Sequence, residues 1–400
     1  MKDEFASASP SVPLAFPPSD MRLKVGIVSW APFLAGAEIA AERLALGLQQ
    51  AGHEVFVVVG HKGPVMERLG AAGLRCLHVP IHFTDKWRWL RYRKSRNALR
   101  RLLQREQPDI VHSNDLPTHQ MVSDAVRGMG IPEVCHHRWI FEEKAIDWLN
   151  KFGAAHHLFV SRFLMDELSE CSPRLRASGR SVVYDGLPLP PPPNEEDRRH
   201  ARRLLGLPAD RVLVTFAGQI IERKGVADLL RAWSLLDATC RDRAELLIIG
   251  DDLESKGNYR IAMEQLSAEL ACAAQFVGFQ KNVGDWLLAS DVAVVPSHAE
   301  PLGNATLEAM SYALPVLGCA VGGIPEMVVH EQTGLLVPPR SPAELAAALS
   351  RLIGDADWRR RLGEQGRRRC EEVFSLDAHV QSVLARYTAV LSARRSVAIS

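Results

Sequence analysis

Short apolar runs alternate with segments of helical periodicity along most of the 400-residue chain. The runs Leu23–Trp30, Glu54–Val59 and Arg211–Gly218 are almost continuously apolar, as expected for strands that a parallel sheet buries on both faces. A helical pattern from Ala37 to Ala51 connects the first two runs. This alternation predicts an α/β architecture built on parallel sheets.

A proline-rich segment, LPLPPPPN at residues 187–194, divides the pattern into two halves. Such a segment is extended and semi-rigid, and it therefore suits a linker. We predict a disordered tail at 1–21, an N-terminal domain at 22–187 and a linker with a lead-in helix at 188–210. A second domain is expected at 211–375, followed by a C-terminal helix at 376–400.

Composition bounds the function class. The chain is 47% hydrophobic and 24% charged, which is ordinary for a soluble globular protein, and its net charge of +1 argues against bulk nucleic-acid binding. The seven cysteines are odd in number and lack C-x-x-C spacing, which indicates free thiols in a reducing compartment. No apolar run approaches the ~18 residues of a membrane span, and the first twenty residues lack the apolar region of a signal peptide. We expect a cytoplasmic enzyme.

The run Pro296–Glu326 carries two carboxylates, Glu300 and Glu308, separated by seven residues. A strand-like run, Asp291–Val295, comes before it, and helix formers follow Asn304. Glu300 is therefore expected in the loop after a strand, and Glu308 about one turn inside a helix. Ligands of open parallel sheets bind at such strand ends, and two carboxylates could accept hydrogen bonds from a sugar and a ribose at once. The alternative is a capped surface helix with two solvated glutamates.

The whole run resembles the retaining glycosyltransferase family 4 of glycosyltransferase group 1. That family has an E-x7-E signature, an EAM helix, a PV strand and a GG-x-x-E turn, which here is Gly322, Gly323 and Glu326. The resemblance implies the GT-B fold, with two Rossmann-like parallel-sheet domains facing a cleft and a C-terminal helix that crosses back towards the first domain. It also implies that Glu308 holds the nucleotide ribose and that Glu300 lies at the donor sugar or reacting end. Further donor contacts are implied at Leu302, Gly303 and Asn304.

Residues 218–225, GQIIERKG, stand where the family has an arginine and a lysine that bind the leaving diphosphate. Lys224 matches the lysine, but Gln219 replaces the arginine. Hydrogen bonds from charged groups contribute ~1.5–3 kcal/mol against ~0.5–1.5 for neutral ones. We therefore expect leaving-group stabilisation to fall mainly on Lys224 and on backbone amides near Gly36. Arg223 is a second source of charge, although its side chain should point away from that of its neighbour.

Other segments match the family more loosely. Gly36 resembles part of a GGAE loop in which Ala35 replaces the first glycine, and Gly218 opens the turn that contains Gln219. The resemblance implies that Gly278 and Phe279 meet the nucleobase. The family generally needs no metal, and the sequence spacing shows no His/Cys cluster, so we predict no metal cofactor.

Many family members carry a histidine near the donor sugar, just after the strand at Gly130–His137. His136, His137 and Arg138 all fill that place. We choose His137 as the catalytic candidate, although a histidine at a strand end is more often structural.

The segment Lys86–Arg105 contains nine Lys/Arg residues and no Asp/Glu, with Trp87, Trp89 and Tyr92 interleaved. It is either a solvated basic helix packed on the sheet or a peripheral docking surface for an anionic membrane leaflet or a lipid-diphosphate acceptor.

These features predict a retaining glycosyltransferase that moves a sugar from a nucleotide-diphosphate donor to a hydroxyl acceptor. Surface polysaccharide, glycolipid or glycoconjugate synthesis is the expected setting, and association with the inner face of the membrane is one option. A glycosidase also uses paired carboxylates. A nucleotide-sugar epimerase or hydrolase, or a non-catalytic nucleotide-sugar-binding subunit, remains the alternative.

Overall fold

The structure, a computed structural model, describes residues 21–30, 36–82, 89–139, 149 and 151–399, with side chains described as far as residue 394. Apart from Met21, the predicted disordered tail lies outside the described residues, as does the start of the basic segment at 86–88.

The first domain is built on a seven-stranded parallel sheet in the order β3-β2-β1-β4-β5-β6-β7. Its strands are β1 Lys24–Ser29, β2 Glu54–Val59, β3 Arg75–His78, β4 Ile110–Asn114, β5 Glu133–His137, β6 His156–Phe159 and β7 Arg180–Val182. Its helices are α1 Gly36–Gln50, α2 Pro64–Ala71, α3 Trp89–Glu106, α4 Leu116–Ala125, α5 Arg162–Cys171 and α6 Pro173–Ala177. The predicted strand at Glu54–Val59 is confirmed.

The second domain repeats this plan with a six-stranded parallel sheet in the order β10-β9-β8-β11-β12-β13. Its strands are β8 Val212–Ala217, β9 Ala244–Ile249, β10 Gln275–Gly278, β11 Val292–Val295, β12 Val316–Cys319 and β13 Gly334–Val337. Helices α7 Glu195–Leu205, α8 Val226–Ser234, α9 Ala238–Arg243, α10 Asn258–Glu269 and α11 Val283–Ala289 come first. They are followed by α12 Asn304–Ser311, α13 Ile324–Met327, α14 Pro342–Gly354, α15 Ala356–Val373 and α16 Leu376–Ile399. The predicted α/β class with two parallel sheets is confirmed.

Strand order reverses once in each sheet, beside β1 and beside β8. The chain passes from β1 to β2 on one side and later to β4 on the other, and β8 stands between β9 and β11 in the same way. Loops diverge at such a reversal and leave a crevice at the carboxyl ends of the strands, where open α/β sheets bind ligands. The carboxyl ends of β1 and β4 in the first sheet, and of β8 and β11 in the second, therefore flank the places where a ligand is expected.

The last helix, α16, lies on the first domain. Val380 packs so close to α1 that a Cβ on Gly47 would lie 2.4 Å from its Cγ2. Tyr387 is fully buried, and its hydroxyl lies 2.7 Å from Nδ1 of His112 on β4. The final helix therefore completes the apolar core of the first sheet, although it follows the second domain in sequence.

The two domains also contact each other beside the linker. The Glu326 carboxylate accepts hydrogen bonds from the backbone N–H groups of Arg162 and Phe163, at 2.8 and 2.9 Å, and from the Tyr184 hydroxyl at 2.9 Å. These N–H groups begin α5 and have no intrahelical partners, and a carboxylate there is also favoured by the helix dipole. Glu326 thus joins the second domain to α5 of the first.

Within the described residues, no helix has both the length and the apolarity needed to cross a bilayer.

Candidate functional site

Both carboxylates lie at the carboxyl edge of the second sheet. Glu300 is in the loop after β11, and Glu308 is one turn inside α12, which begins at Asn304 as predicted. Gly303 precedes that helix with a φ of +100°, which an L side chain rarely adopts. The chain therefore turns sharply at Gly303, and Glu300 and Glu308 fall on either side of the turn.

Lys224 forms an ion pair with Glu300. Its Nζ contacts Oε1 of Glu300, and the Ser297 hydroxyl donates a hydrogen bond to the same oxygen at 2.9 Å. The side chain of Lys224 is 17% exposed and that of Glu300 is 6% exposed, so both are largely shielded from bulk water. The arrangement places one cation and one anion side by side, each able to exchange its partner for a ligand group.

A glycine fixes the turn that carries Lys224 against the loop that carries Glu300. Gly225 has a φ of +71°, and a Cβ there would lie 1.9 Å from the carbonyl oxygen of Pro296. In addition, the N–H of His298 donates to the carbonyl of Arg223 at 2.7 Å. The two loops therefore touch through their backbones, and only glycine fits at position 225.

The GG-x-x-E turn supports Glu300 from the other side. A Cβ on Gly322, whose φ is +57°, would lie 1.6 Å from the carbonyl oxygen of Glu300, and the N–H of Gly323 donates to that oxygen at 3.1 Å. The two glycines thus fix the backbone of Glu300, while Glu326 of the same motif contacts the first domain.

Two residues of α1 face two residues of α12 across the space between the domains, which we call the cleft. A Cβ on Gly36 would lie 3.5 Å from Nδ2 of Asn304, and a guanidinium nitrogen of Arg43 lies 3.3 Å from Oε1 of Glu308. Residues 36 and 43 share one helical face, as do 304 and 308. Both carboxylates of the predicted pair are therefore bound to cations, Glu300 within its own domain and Glu308 from the other.

The start of α12 contains polar atoms without partners. Oδ1 of Asn304 and Oγ1 of Thr306 are buried and have no hydrogen bond in the described part of the chain. Buried polar atoms usually have a partner. These two atoms are therefore available to a ligand or a water molecule at the mouth of the helix.

The predicted nucleobase residues lie where β8, β9 and β10 end side by side. Gly250 has a φ of +134°, and a Cβ there would lie 1.8 Å from the carbonyl oxygen of Gly218. The N–H of Gly250 donates to the carbonyl of Gly278 at 2.9 Å, which aligns the three strand ends. Gln219 is half-buried and Phe279 is 70% exposed. The predicted donor residue Leu302 is only 3% exposed and packs in an apolar cluster that includes residues of both domains.

Arg223 points to the first domain. Its guanidinium lies over the ring of Trp139, 4.8 Å from the ring centroid, and Trp139 is 44% exposed. This is the geometry of a cation–π contact. The side chain follows a different direction from that of Lys224, as predicted, and it is bound to an aromatic ring just after β5.

His137 is buried in the core of the first domain. Its Nε2 lies 2.9 Å from Nδ1 of His157, its ring stacks on Phe159, and burial lowers its pKa to about 3. His136 is also fully buried, and its Nε2 lies 3.1 Å from the carbonyl oxygen of Val183. Both rings are fully buried and already have partners, and a role of His137 at the donor stays a prediction.

Arg138, the third candidate at this place, is also occupied. Its guanidinium forms an ion pair with Asp185 and donates to Oδ1 of Asn114 at 2.8 Å. It therefore joins the ends of β4 and β5 to the segment after β7.

The structure brings together a His/Cys group that the sequence spacing did not reveal. Cys135 and His137 lie on one face of β5, and His157 is paired with Cys135 in the register of β6. Their ligand atoms all lie within 4.8 Å of one another. One ring nitrogen of each histidine is already hydrogen-bonded to the other histidine, and all three residues are buried. The group is thus a buried polar cluster beneath the end of the sheet.

Asp115 is a further residue that sequence reasoning missed. It follows β4 with a φ of +86°, unusual for a residue other than glycine, and it accepts a hydrogen bond from the N–H of Leu116 at 2.9 Å. Burial raises its pKa to about 7, although backbone hydrogen bonds and Arg138 act in the opposite direction. Strained, buried acids of this kind concentrate at functional sites.

Comparison with known proteins places this geometry in a family. Residues 197–369 match the family of glycosyl transferases group 1, and residues 34–188 match glycosyltransferase family 4. An uncharacterized glycosyltransferase of Methanocaldococcus jannaschii is 27% identical over 388 residues, and the match covers 89% of this chain and 95% of that protein. A D-inositol 3-phosphate glycosyltransferase of Geodermatophilus obscurus is 37% identical over 201 residues, and the match covers 48% of this chain and 44% of that relative.

Solved structures share the fold. Anabaena HepE in complex with UDP and glucose superposes with a TM-score of 0.80 at 19% identity, covering 92% of this chain and 100% of that one. The sucrose-phosphate synthase of Thermosynechococcus elongatus has a TM-score of 0.79 at 23% identity, covering 93% and 100%. Together with the two parallel sheets and the motif residues at their carboxyl edge, these matches show that the chain belongs to the group 1, family 4 glycosyltransferases of GT-B fold.

Proposed function

We propose that this glycosyltransferase moves a sugar from a nucleotide-diphosphate donor to an acceptor hydroxyl, with retention of the anomeric configuration. The observation that carries the proposal is the ion pair between Lys224 and Glu300 at the carboxyl edge of the second sheet. Glu308 lies beside this pair, one turn inside α12, and contacts Arg43 of α1. The solved structures of Anabaena HepE that share this fold contain UDP, UDP with glucose, or UDP-glucose, which supports a donor of this class.

The proposed donor position follows from the order of these groups. The ribose hydroxyls hydrogen-bond to Glu308, which exchanges Arg43 for them. The diphosphate lies between Lys224 and the start of α1 at Gly36, where N–H groups and the helix dipole favour an anion. The nucleobase lies beside the strand ends at Gly278 and Phe279.

The side chains of the site stabilise the charge that develops during sugar transfer. As the bond between the anomeric carbon and the phosphate oxygen breaks, negative charge develops on the diphosphate, and the Lys224 ammonium stabilises it. The acceptor oxygen bonds to the same face of the anomeric carbon, and its proton passes to the departing phosphate oxygen. Glu300 accepts hydrogen bonds from the sugar hydroxyls once Lys224 has turned to the phosphate. Gln219 contributes only a neutral donor to this stabilisation.

We propose that the transfer uses no metal cofactor, since Lys224 and helix-start amides supply the positive electrostatics. Activity should then be unchanged by EDTA, and a loss restored by Mg²⁺ or Mn²⁺ would contradict this part.

Lys224→Ala is the direct test. Removing one group that stabilises developing charge typically lowers kcat by on the order of 10²–10³. We expect this loss in the release of nucleoside diphosphate from the preferred donor, with water or added hydroxyl compounds as acceptor. Arg361→Ala removes an exposed cation on α15 and is the matched control. Turnover of Lys224→Ala equal to that of the control would refute the assignment.

The alternative is a non-catalytic nucleotide-sugar-binding subunit, which the neutral Gln219 favours. Such a protein would bind the donor, lose binding in Lys224→Ala and release no nucleoside diphosphate from any donor. Conversion of a nucleotide sugar to its epimer without acceptor would instead indicate an epimerase.

We further propose that the exposed start of α3 docks on an anionic membrane and brings a lipid-linked acceptor near the cleft. Trp89 and Leu90 are 50% and 66% exposed, and the guanidinium of Arg93 lies 5.4 Å from the centroid of the Trp89 ring. Arg91 and Lys94 are exposed beside them. Aromatic and apolar side chains flanked by cations suit the membrane interface, where each nearby cation adds about 1 kcal/mol.

Vesicle co-sedimentation tests the docking. Vesicles with phosphatidylglycerol should bind the protein at low salt and release it at high salt, while purely zwitterionic vesicles should not bind it. A variant with Arg91→Glu and Lys94→Glu should stay in the supernatant. Equal behaviour of the wild type and this variant would refute the proposal.

A further inference from the structure

A second cavity lies at the opposite edge of the first sheet from the cleft. It has a volume of about 590 Å³ and is bordered by Pro132 and Glu133, where β5 begins, and by Ala155, just before β6. The cleft lies at the carboxyl ends of the strands, whereas this cavity, which we call the lower cavity, lies at their amino ends. Its size is within the range of small-molecule sites.

Four cationic side chains line the lower cavity: Arg127, Lys151, Arg174 and Arg394. Neutral groups fix the three arginines in place. The guanidinium of Arg127 lies 4.7 Å from the centroid of the Phe152 ring, Arg174 donates to the carbonyl of Lys151 at 2.8 Å, and Arg394 donates to the carbonyl of Gly130 at 2.6 Å. The cations are therefore oriented by contacts that leave their charge unbalanced.

The opposing negative charge is small. Among the described residues that line the lower cavity, Glu133 is the acidic one, and its Oε1 is already bound to Nδ1 of His119, 2.9 Å away, and to the Ser113 hydroxyl. A guanidinium nitrogen of Arg127 lies 4.0 Å from a carboxylate oxygen of Asp124, which is at the outer limit of an ion pair. The described part of the wall therefore carries an excess of positive charge, which favours an anionic ligand.

Glu133 supplies an independent sign of a ligand. The residue is 3% exposed, and its Oε2 is buried without a hydrogen-bond partner in the described part of the chain. A buried carboxylate oxygen without a donor is energetically unfavourable. The site thus combines several donors for an anion with one acceptor that lacks a donor.

We propose that the lower cavity binds a small phosphate monoester that also carries hydroxyl groups, such as a sugar or polyol phosphate. The phosphate is held by Arg174 and Arg394, whose planar guanidinium groups suit bidentate recognition of phosphate. A ligand hydroxyl donates to Oε2 of Glu133. Among the described lining residues, Phe152 is the aromatic one, and Arg127 already covers its ring, which disfavours stacking of a nucleobase there.

Occupancy of the lower cavity connects distant parts of the chain. Arg394 belongs to α16, which follows the second domain, whereas Arg174 belongs to α6 of the first. A phosphate held by both would attach the end of α16 to the first domain. The ligand therefore acts away from the donor, and the proposal does not rest on the chemistry of the cleft.

Calorimetry on the full chain, with saturating UDP present to fill the cleft, tests this inference. Glucose 6-phosphate should bind, inorganic phosphate should bind about tenfold more weakly because it cannot supply the donor to Glu133 as well, and glucose should not bind. Arg174→Ala and Arg394→Ala should each weaken glucose 6-phosphate binding about tenfold or more, since a charged hydrogen bond is lost. Arg101→Ala, which removes an exposed arginine of α3, is the control and should bind as the wild type does.

Three results would overturn the proposal. One is the absence of heat with glucose 6-phosphate. Another is equal affinity for glucose 6-phosphate and inorganic phosphate, which would indicate only general anion attraction. The third is glucose 6-phosphate binding that disappears when UDP is present and that, without UDP, is the same in the wild type, Arg174→Ala and Arg394→Ala. That result would assign the binding to the cleft. If UDP itself does not bind, the two arginine variants still report on the lower cavity alone.

Discussion

Gly225→Ala should separate the turn that carries Lys224 from the loop that carries Glu300. A Cβ at this position would lie 1.9 Å from the Pro296 carbonyl oxygen, whereas real Cβ contacts are essentially never under 3.0 Å. The turn must therefore move by about 1 Å, and a misplacement of about 1 Å can lower the rate about 10²-fold. The φ of +71° adds about 1–2 kcal/mol of backbone strain, and the overpacking adds about 1–3 kcal/mol.

Gly206→Ala isolates the effect of the clash. Gly206 has nearly the same conformation, with a φ of +68°, but no atom lies within 4 Å of the position of its Cβ. We expect Gly206→Ala to lose only the strain, about 1–2 kcal/mol of unfolding free energy, and to keep its turnover. Urea denaturation and nucleoside diphosphate release measure the two quantities. Equal stability and equal turnover of the two variants would refute the contact between the loops.

Three further substitutions test other parts of the site. Arg43→Ala should tighten UDP binding up to about fivefold in calorimetry, because the ribose then binds Glu308 without first breaking a partly exposed ion pair worth about 0.2–1 kcal/mol. Arg68→Ala is the control, and weaker UDP binding by Arg43→Ala would contradict the reasoning. As the pH rises from 4 to 7, the unfolding free energy of Asp115→Asn should increase relative to that of the wild type. Burial raises the native pKa of Asp115 from 3.8 to about 7, so the native state keeps its proton longer and wild-type stability falls as pH rises through that window; parallel denaturation curves would contradict this. His137→Gln should lower the unfolding free energy by about 1–3 kcal/mol but leave turnover per folded molecule unchanged, and a large loss of turnover would restore His137 as a catalytic candidate.

The second domain could be predicted well because its signals are local. The start of α12, the loop position of Glu300 and the turn of Lys224 depend on glycines, a proline and helix formers within a few residues of one another. Gly225 and Gly322 contact backbone atoms of the neighbouring loops, and such close approaches admit only glycine. A motif of this kind therefore encodes its own geometry in sequence.

The contacts across the cleft could not be predicted in this way. Arg43 and Glu308 are 265 residues apart, and their pairing depends on how the two domains meet. The spacing of residues 36 and 43 places them on one face of α1, but it does not identify the residue of the second domain that Arg43 contacts. The contact between Trp139 and Arg223 also depends on how the domains meet: the sequence predicted that Arg223 points away from Lys224, but not which residue it contacts.

The sequence could not decide between His136, His137 and Arg138 because β5 is buried on both sides. All five residues of this strand are buried, so alternation gives no sign of which side chains face the cleft. One of the covering elements is α16, whose Tyr387 lies on His112 of the neighbouring strand. A helix so distant in sequence cannot be assigned to this face from the sequence of β5 alone.

The most direct test of the account is calorimetric titration of the wild type, Lys224→Ala and Glu308→Gln with UDP-, GDP-, dTDP- and ADP-sugars. The account predicts that one donor binds the wild type and that both variants bind it at least about tenfold more weakly, since each loses a charged hydrogen bond to the donor. Binding that is equal in all three proteins, or no binding of any donor, would contradict a nucleotide-sugar site at Lys224, Glu300 and Glu308.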